Sequence, residues 1–382
     1  MKFLICCSLA TSLRNFRGKL LKEIRNNGHD IIALAPDFDD EMRNWCSDLG
    51  ISTEHIDLAS QGLNPLSDLS TIWQMRGIMR RHRPDVVMGY THKPALYTAY
   101  AAKLAAVPHV SMMVTGMGFG FEPGGGRLRQ ILIPLITTNM FRLGCAACDT
   151  VIFHNRDNHD YFLEKGILRD QKKGRVVGGS GVDLNHFEQL PLPQADAEKL
   201  TFLLIARIVR YKGIMEYAQA VVTLKQKYPD ARFLLAGYYD KNPLSYTKVE
   251  WDFIEKHVTY LGESKDVRQL YVQAHVYVLP SYGEGMPRTV LEAMASGRAI
   301  ITSDTYGCRD TVVEGVNGHL VPIKQPEPLA DAMESFLAGR SDWRAMGEES
   351  LKLAKSKFDV DIVNKEMIAA MQLEKTPTHA DG

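Results

Sequence analysis

Residues 276–294 of this 382-residue chain have the sequence VYVLPSYGEGMPRTVLEAM. The apolar run Val276–Leu279 is typical of a buried strand, and it stops at a proline and a glycine-containing turn. Pro287 is predicted at the first helical position, where the amide hydrogen that proline lacks has no partner. Free amides of a first helical turn suit a phosphate, and the carboxylates of Glu284 and Glu292 accept hydrogen bonds from hydroxyls. The stretch therefore predicts a strand, turn and helix that bind a phosphate and a polyol, the two parts of a sugar nucleotide.

Short apolar runs alternate with amphipathic segments on both sides of this stretch. Strands that alternate with helices predict a mostly parallel, doubly wound α/β sheet, whose ligands bind beyond the carboxyl ends of the strands. Further strands are predicted near Phe3–Cys7, Asp30–Leu34, Ser52–Ile56, Asp85–Met88, His109–Val114, Thr150–Phe153, Leu200–Ile205, Arg232–Ala236, Val258–Tyr260 and Ala299–Ile301.

The alternation pauses around residues 178–196, where glycines give way to a polar run that contains prolines, and then it restarts. Two domains are also the expectation for a chain of this length. We therefore predict a first Rossmann-like domain at 1–185, a linker at 186–198 and a second Rossmann-like domain at 199–357. Residues 358–382 are predicted to form a helix that crosses back to the first domain, followed by a tail.

The composition is that of an ordinary globular protein, with 45% hydrophobic and 24% charged residues. Basic and acidic residues number 45 each, so the net charge gives no reason to expect a nucleic-acid partner. The first 185 residues carry more basic than acidic side chains, so that half is better suited to an anionic partner. The six cysteines do not suggest a disulfide framework in a chain this long, and we interpret them as small apolar residues in a reducing cytoplasm.

The amino terminus contains a short apolar run, but no small-x-small cleavage pattern follows it, so we expect a first strand rather than a signal peptide. No window reaches the ~18 apolar residues that a spanning helix needs. Three segments, 14–25, 72–83 and 127–142, mix basic with large apolar residues. Such segments either pack on a sheet or lie on an anionic membrane, and the sequence leaves both open. We expect a peripheral protein on the inner face of the cytoplasmic membrane.

A basic motif follows a strand of the second domain. Arg207 comes just after the predicted strand Leu200–Ile205, and Lys212-Gly213 starts the next helix. Two cations beside a helix amino terminus suit a diphosphate. An isolated pair of this kind is more often two solvated surface charges, but Glu284 and Glu292 in the same domain favour a binding site.

Together these motifs resemble the retaining glycosyltransferases of family 4, which have the GT-B fold of two Rossmann-like domains that face each other across a cleft. The resemblance covers essentially the whole chain and rests on Arg207, Lys212-Gly213, Glu284-x7-Glu292, and Gly181-Val182-Asp183 with Phe187. Within the family, the chain is similar to bacterial enzymes that add N-acetylgalactosamine or a related sugar to an undecaprenyl-diphosphate-linked saccharide. The motifs for this narrower group are Thr91–Pro94, Thr115–Phe119 and Gly307–Arg309.

The resemblance implies a role for each matching residue. Arg207 and Lys212 neutralise the diphosphate of a UDP-sugar, Glu292 binds the ribose hydroxyls, and Glu284 lies beside the donor sugar. The acceptor hydroxyl attacks from the side where UDP departs, so no protein nucleophile is needed. The expected catalytic residues are His92, Arg207, Lys212 and Glu284; further donor-binding residues are Gly285, Met286, Arg288, Thr289 and Glu292; acceptor-side residues are Ser12, Arg14, Lys93, Thr115, Gly116 and Gly118.

The chain departs from the family pattern at the first loop. Many members have paired glycines there, but the loop Ser8–Ser12 has none, so the resemblance assigns this loop no part in donor binding. The chain also lacks a persuasive Asp-x-Asp metal motif, since Asp37-x-Asp39 and Asp359-x-Asp361 both precede predicted helices and are interpreted as helix-starting carboxylates. We therefore expect no metal and no cofactor.

Three alternatives remain from the sequence. A family 4 transferase could use another UDP-hexose donor. A UDP-sugar 2-epimerase shares the two-domain fold, although it lacks the combination of basic and acidic motifs present here. A non-catalytic sugar-nucleotide sensor would bind UDP without transferring a sugar.

Overall fold

The structure is a computed structural model that describes residues 1–58, 65–116, 127–193, 199–239 and 245–375. The chain divides into two compact units: Met1–Ser180 together with Ile362–Gly382, and Gly181–Asp361. The last helix, α13 (Val360–Met371), thus lies almost entirely in the first unit. The divide between the units falls a few residues before the domain boundary predicted at 185.

The first unit contains a parallel sheet flanked by helices. Its described strands are β1 (Lys2–Cys6), β2 (Asp30–Ala35), β3 (Ile51–His55), β4 (Val86–Tyr90), β5 (His109–Val114), β6 (Thr150–Phe153) and β7 (Gly174–Val176). The helices between them are α1 (Thr11–Asn26), α2 (Asp40–Asp48), α3 (Pro65–His82), α4 (His92–Ala105), α5 (Arg127–Ala147) and α6 (Arg156–Glu164). The seven described strands lie in the order β3-β2-β1-β4-β5-β6-β7.

The second unit repeats this plan. Its described strands are β8 (Thr201–Ile205), β9 (Arg232–Ala236), β10 (Thr259–Tyr260), β11 (Val276–Leu279), β12 (Ala299–Ser303) and β13 (Gly318–Val321). Its helices are α7 (Ile214–Lys227), α8 (Lys248–His257), α9 (Arg268–Tyr271), α10 (Arg288–Ala295), α11 (Pro326–Leu337) and α12 (Trp343–Leu353). Among the described residues the six strands form one parallel sheet in the order β10-β9-β8-β11-β12-β13.

Both sheets are covered on both faces, which explains the continuous apolar runs in the sequence. In β1, Leu4 packs in the hydrophobic core on one face of the sheet, whereas Phe3 and Ile5 pack in the core on the other face. All the residues of β8 and β11 are buried. The six cysteines are also buried and form no disulfide, as predicted.

The strand order decides where each unit can bind a ligand. In a doubly wound sheet the crevice lies at the carboxyl edge where the strand order reverses. That point falls between β1 and β4 in the first unit and between β8 and β11 in the second. The two switch points are therefore the places where the predicted site residues should collect.

The predicted doubly wound α/β fold is confirmed, and the predicted strands are present with small shifts at their ends. Two strands, β7 and β13, were not predicted, because each is short and begins with a glycine. No described helix combines the length and the apolar character needed to cross a bilayer.

Candidate active site

An ion pair lies at the switch point of the second sheet. Lys212 follows β8 and Glu284 follows β11, and Lys212 Nζ lies 2.5 Å from Glu284 Oε1. The two side chains are only 15% and 14% exposed. The structure thus brings together two residues that the sequence placed 72 positions apart.

The pair is held by neighbours that the sequence did not single out. The hydroxyl oxygen of Ser281 lies 2.7 Å from Glu284 Oε1 and 3.1 Å from the carbonyl oxygen of Tyr211. Because a hydroxyl has one hydrogen, Ser281 donates to one of these oxygens at a time. The backbone amide of Glu284 donates to the carbonyl of Tyr306. The acid is therefore fixed from both the loop after β8 and the loop after β12.

Tyr211 links the two predicted diphosphate-binding cations. The guanidinium of Arg207 donates to the Tyr211 hydroxyl, and its Cζ lies 6.0 Å from the centroid of the Tyr211 ring. Lys212 Nζ lies 5.5 Å from the same centroid. Both cations thus lie against one aromatic ring, an arrangement that holds positive charge close to a π face.

The second acid of the motif is more deeply buried than the first. Glu292 lies in α10 with 6% of its surface exposed. Its Oε1 pairs with Arg288 Nε at 2.9 Å, one helical turn away, and its Oε2 lies 3.2 Å from the hydroxyl of Tyr271. Loss of water around the carboxylate raises its pKa above the ordinary value, although Arg288 and Tyr271 oppose this shift.

The start of α10 differs from the prediction by one residue. Pro287 is the residue before the helix, with φ −75° and ψ 99°, and Arg288 is the first helical residue. The first bonds of the helical ladder run from the amides of Val290 and Leu291 to the carbonyl of Pro287. The amides of Arg288 and Thr289, predicted to face phosphate or sugar, therefore precede that ladder.

Two glycines allow close packing around the acidic turn. Gly213 has φ +70°, and a Cβ added there would lie 2.0 Å from the carbonyl oxygen of Pro280. Gly307 has φ +74°, and a Cβ there would lie 2.3 Å from the carbonyl oxygen of Glu284. Neither position accepts a side chain without backbone movement. The turn is therefore enclosed by backbone on two sides.

At the switch point of the first sheet, the contacts join hydroxyl groups. Ser8, after β1, lies 3.0 Å from the hydroxyl oxygen of Thr91, after β4. Ser12 Oγ donates to the carbonyl of Leu9 at 2.6 Å and lies 2.7 Å from the Tyr90 hydroxyl, so Tyr90 is the donor in the second bond. Thr91 has φ 68° and ψ 166°, a strained conformation for a β-branched residue.

The glycine-free first loop, Ser8–Ser12, is bound by a carboxylate side chain of the protein just before α1. The amide of Ala10 donates to Asp37 Oδ1 at 2.8 Å. Asp37 thus accepts a hydrogen bond from this loop. Asp39 instead accepts from the amide of Met42 and caps α2, as predicted. In the structure a carboxylate thus accepts from the amide of Ala10, the residue before α1.

The remaining predicted residues of the first unit lie near this edge. His92 is the first residue of α4, its ring packs edge-on to Phe141, and burial lowers its pKa. Lys93 pairs with Asp68 at 2.9 Å, with both side chains mostly buried. The other acceptor-side predictions have these surroundings: Arg14 pairs with Glu41 at 2.6 Å, Thr115 and Gly116 are half-buried after β5, and Gly118 lies outside the described residues.

The structure adds Tyr211, Tyr271 and Ser281 to the residues around the predicted donor site. Tyr211 lies inside the basic motif, between Arg207 and Lys212, so it could have been noticed from the sequence. Tyr271 comes from a different helix and carried no sequence signal. Where the structure describes the chain, it contains no group of three or more His, Cys, Asp or Glu residues arranged to hold a metal ion. Metal independence stays a prediction.

Two family models match the chain in succession. The model described as "Glycosyl transferase 4-like domain" matches residues 14–178. The model described as "Glycosyl transferases group 1" matches residues 188–353. The first match covers β2 to β7. The second covers the described strands of the second unit and all the predicted donor-binding residues.

Curated relatives align over most of the chain. The N,N'-diacetylbacillosaminyl-diphospho-undecaprenol alpha-1,3-N-acetylgalactosaminyltransferase of Campylobacter jejuni is 26% identical over 337 residues, which are 85% of this chain and 86% of the relative. The UDP-Gal:alpha-D-GlcNAc-diphosphoundecaprenol alpha-1,3-galactosyltransferase of Escherichia coli is 23% identical over 322 residues, 78% of this chain and 81% of the relative.

Among solved structures, HepE of Anabaena in complex with UDP has a TM-score of 0.74 to this chain at 16% sequence identity. The alignment covers 97% of this chain and 100% of that chain. The likeness extends over both units, and each unit has the parallel α/β sheet of a domain of the GT-B fold.

Proposed function

Because this chain belongs to the group 1 glycosyltransferases and has the GT-B fold, we propose that it transfers a hexosamine from a UDP-sugar to an undecaprenyl-diphosphate-linked saccharide. The proposed donor is UDP-N-acetylgalactosamine and the proposed outcome is retention at the anomeric carbon. The Campylobacter jejuni relative is named for this donor sugar and for such an acceptor. The product belongs to the assembly of a bacterial surface polysaccharide or glycan.

The observation that carries the proposal is the meeting of Lys212 and Glu284 at the switch point of the second sheet. Partial burial of two opposite charges costs desolvation energy, which offsets their attraction. A contribution to the stability of the fold therefore does not by itself explain the pair. In the structure Lys212 pairs with the carboxylate of Glu284, and a donor diphosphate would supply the same negative charge. When a donor binds, Lys212 turns to the phosphate and Glu284 becomes available to the sugar hydroxyls.

The leaving group is stabilised by fixed positive charge in this mechanism. Arg207 and Lys212, held by Tyr211, bind the phosphates and compensate the charge that grows on UDP. Glu292 accepts from the ribose hydroxyls. The amides at the start of α10, with Gly285 and Met286, lie beside the phosphate and sugar. His92 belongs to the reacting centre, where burial favours its neutral form.

The acceptor is proposed to bind the first unit. Ser12, Arg14, Lys93, Thr115, Gly116 and Gly118 remain the acceptor-side residues of the proposal. Arg14 and Lys93 each have a carboxylate partner, so an acceptor phosphate would replace Glu41 or Asp68. We further propose peripheral contact with an anionic membrane, at the inner face of the bacterial cytoplasmic membrane. Flotation with anionic but not with neutral vesicles is the expected result.

The decisive experiment is a donor screen with the purified full-length chain. UDP-N-acetylgalactosamine, UDP-N-acetylglucosamine, UDP-galactose and UDP-glucose are each incubated with undecaprenyl-diphosphate-linked monosaccharides, and the anomeric configuration of the product is read by NMR. We expect the N-acetylgalactosamine donor to give the fastest transfer and an α-linked product. Faster transfer from another donor overturns the donor assignment, and a β-linked product overturns retention.

Two controls separate the alternatives. Incubation with a UDP-N-acetylhexosamine alone leaves the sugar unchanged if the protein is a transferase, whereas a 2-epimerase converts it without any acceptor. A sensor binds UDP but transfers to no lipid acceptor. Added chelator is expected to leave the transfer rate unchanged, because fixed cations take the place of a divalent ion in this proposal. Loss of transfer on chelation overturns metal independence.

A further inference from the structure

A buried arginine lies at the carboxyl edge of the first sheet without a carboxylate partner. Arg17, in α1, has 2% of its surface exposed, and burial lowers its pKa to about 10, so it remains charged at neutral pH. Its guanidinium contacts the sulfur atoms of Met113 at 2.8 Å and Met367 at 3.9 Å, and its Cζ lies 5.4 Å from the ring centroid of Tyr90. These are weak acceptors for a full positive charge.

The burial of this charge is incompletely compensated. Arg17 Nε is buried without a hydrogen-bond partner among the described residues, and no described carboxylate pairs with the guanidinium. A buried cation has a large desolvation penalty unless it is paired or hydrogen-bonded. Arg298, which is also fully buried, donates instead to four backbone carbonyls. The residues around Arg17 thus compensate its positive charge only in part.

The position of Arg17 points to the ligand edge of the sheet. Tyr90 is the last residue of β4, Met113 is next to last in β5, and His154 follows β6 directly. Arg17 itself lies in α1, little more than one turn after Ser12, an expected acceptor-side residue. The guanidinium therefore lies beneath the carboxyl ends of three neighbouring strands.

His154 connects this charge to the edge. Arg17 Nη2 lies 3.1 Å from His154 Nε2. An arginine has only donors, so His154 accepts at Nε2 and is neutral, with its hydrogen on Nδ1. Burial and the adjacent guanidinium both lower the pKa of His154 well below its ordinary value, in agreement with this assignment. The tautomer leaves His154 as a hydrogen-bond donor at Nδ1, backed by a positive charge.

We propose that Arg17 and His154 form an oxyanion-binding site of the first unit, in which His154 Nδ1 donates to a phosphate oxygen of a diphosphate substrate and Arg17 supplies the compensating charge. His154 is the binding residue, and Arg17 is a positioning residue that fixes its tautomer. The inference rests on the proposed function for the identity of the substrate. Both the lipid-linked acceptor and the UDP-sugar contain a diphosphate, and the experiments distinguish these two sources.

The first test uses the full-length chain and inorganic pyrophosphate, without any transfer reaction. In protein with ¹⁵N-labelled histidine, the His154 resonances are identified by their loss in His154→Asn. We expect a neutral ring protonated at Nδ1 and a saturable shift of this resonance on addition of pyrophosphate. His275, a buried histidine of the second unit, is the internal control. A ring protonated at Nε2, or a His154 resonance that ignores pyrophosphate, overturns the site.

The second test compares variants in the transfer reaction. Arg17→Met replaces the guanidinium with a side chain that suits the neighbouring methionines, so the thermal midpoint should stay equal or rise. The KM for the occupying substrate should increase about tenfold or more, the scale for losing a hydrogen bond that involves a charged group. A raised acceptor KM assigns the site to the lipid diphosphate, and a raised donor KM assigns it to UDP. If both KM values stay unchanged, the site is excluded.

Control variants keep this test decisive. Arg25→Met removes an exposed arginine of the same helix that pairs with Asp30, and it should change neither KM. Arg17→Lys retains the charge and should recover part of the lost affinity; if Arg17→Met fails to fold, a raised KM in Arg17→Lys supports the site and a normal KM opposes it. If no lipid acceptor is used but His154 still responds to pyrophosphate, the proposed function fails and the anion site stands.

Discussion

At the carboxyl edge of the second sheet, Lys212 meets Glu284 across the switch point, whereas at the matching edge of the first sheet the contacts across the switch point join the hydroxyl groups of Ser8 and Thr91. The same topology thus carries two kinds of chemistry. Paired charges can be exchanged for those of a charged ligand, but a hydroxyl pair is neutral and fixes geometry. This difference agrees with our proposal that the second edge binds the donor diphosphate. At the first edge, the buried cation is Arg17, which is 2% exposed.

The largest expected effect comes from removing Lys212, the cation at the carboxyl edge of the second sheet. Lys212→Ala should lower turnover by about 10²- to 10³-fold, the scale for losing one preorganised group that stabilises transition-state charge. The measurement is the initial transfer rate at saturating donor. Lys227→Ala, which removes an exposed lysine paired with Glu334, is the matched control and should keep the rate. A normal rate in Lys212→Ala takes Lys212 out of the phosphate site.

A second substitution tests whether the buried acid of the same edge binds the nucleotide. Glu292→Gln keeps the shape but loses the charge that receives the ribose hydroxyls, so UDP affinity should fall about 10- to 100-fold. Calorimetric titration with UDP measures the change. Glu349→Gln, at an exposed glutamate paired with Lys352, should bind UDP normally. Equal UDP affinity in the two variants contradicts the ribose role.

At the first edge, the contact between the hydroxyl groups of Ser12 and Tyr90 is expected to stabilise the fold. Ser12→Ala removes the acceptor of the buried Tyr90 hydroxyl and should cost about 1–3 kcal/mol of stability. The double variant Ser12→Ala with Tyr90→Phe removes both polar groups and should recover much of that loss. Thermal denaturation of the three proteins gives the comparison. If the double variant is no more stable than Ser12→Ala, the hydroxyl pair is not the cause of the loss.

The smallest expected effect is a pH dependence of stability that arises from Glu292, at the second edge. The pKa of Glu292 is raised in the folded chain, so folding favours the protonated acid. Its stabilising contribution is present below the ordinary glutamate pKa and is lost as pH rises through the raised value. The thermal midpoint of Glu292→Gln, relative to the unmodified chain, should therefore increase from pH 4 toward neutral pH. A difference that does not change with pH argues against the raised pKa.

The sequence was most informative where local chemistry and spacing coincide. The alternation of apolar and amphipathic segments predicted the parallel sheets, because both faces of each sheet are buried. The motif around Glu284 predicted a turn at a strand end and a helix start, with an error of one residue at Pro287. Local rules identify such features because they depend on neighbouring residues in the chain.

Other features depend on residues that are distant in sequence. Glu284 pairs with Lys212, and Glu292 contacts Tyr271. Each contact joins residues from different loops or helices, so no local pattern indicated the contact itself. Arg17 was noted only as one of several basic residues on an early segment, although it is buried and its neighbours are exposed or half-buried. Its position in the helix did not show whether the guanidinium of Arg17 faces water or the sulfur atoms of methionines.

The two glycines beside the acidic turn have a consequence for redesign of the proposed donor site. Gly213 and Gly307 bring backbone against the carbonyl oxygens of Pro280 and Glu284, so the main chain of the turn has no room to take another path. A change of sugar preference on this scaffold should then arise from side chains within the turn, such as Tyr282 or Met286. A mutant library for new donors should keep both glycines fixed and vary these side chains, because insertions or backbone shifts there would cost the fold before they altered specificity.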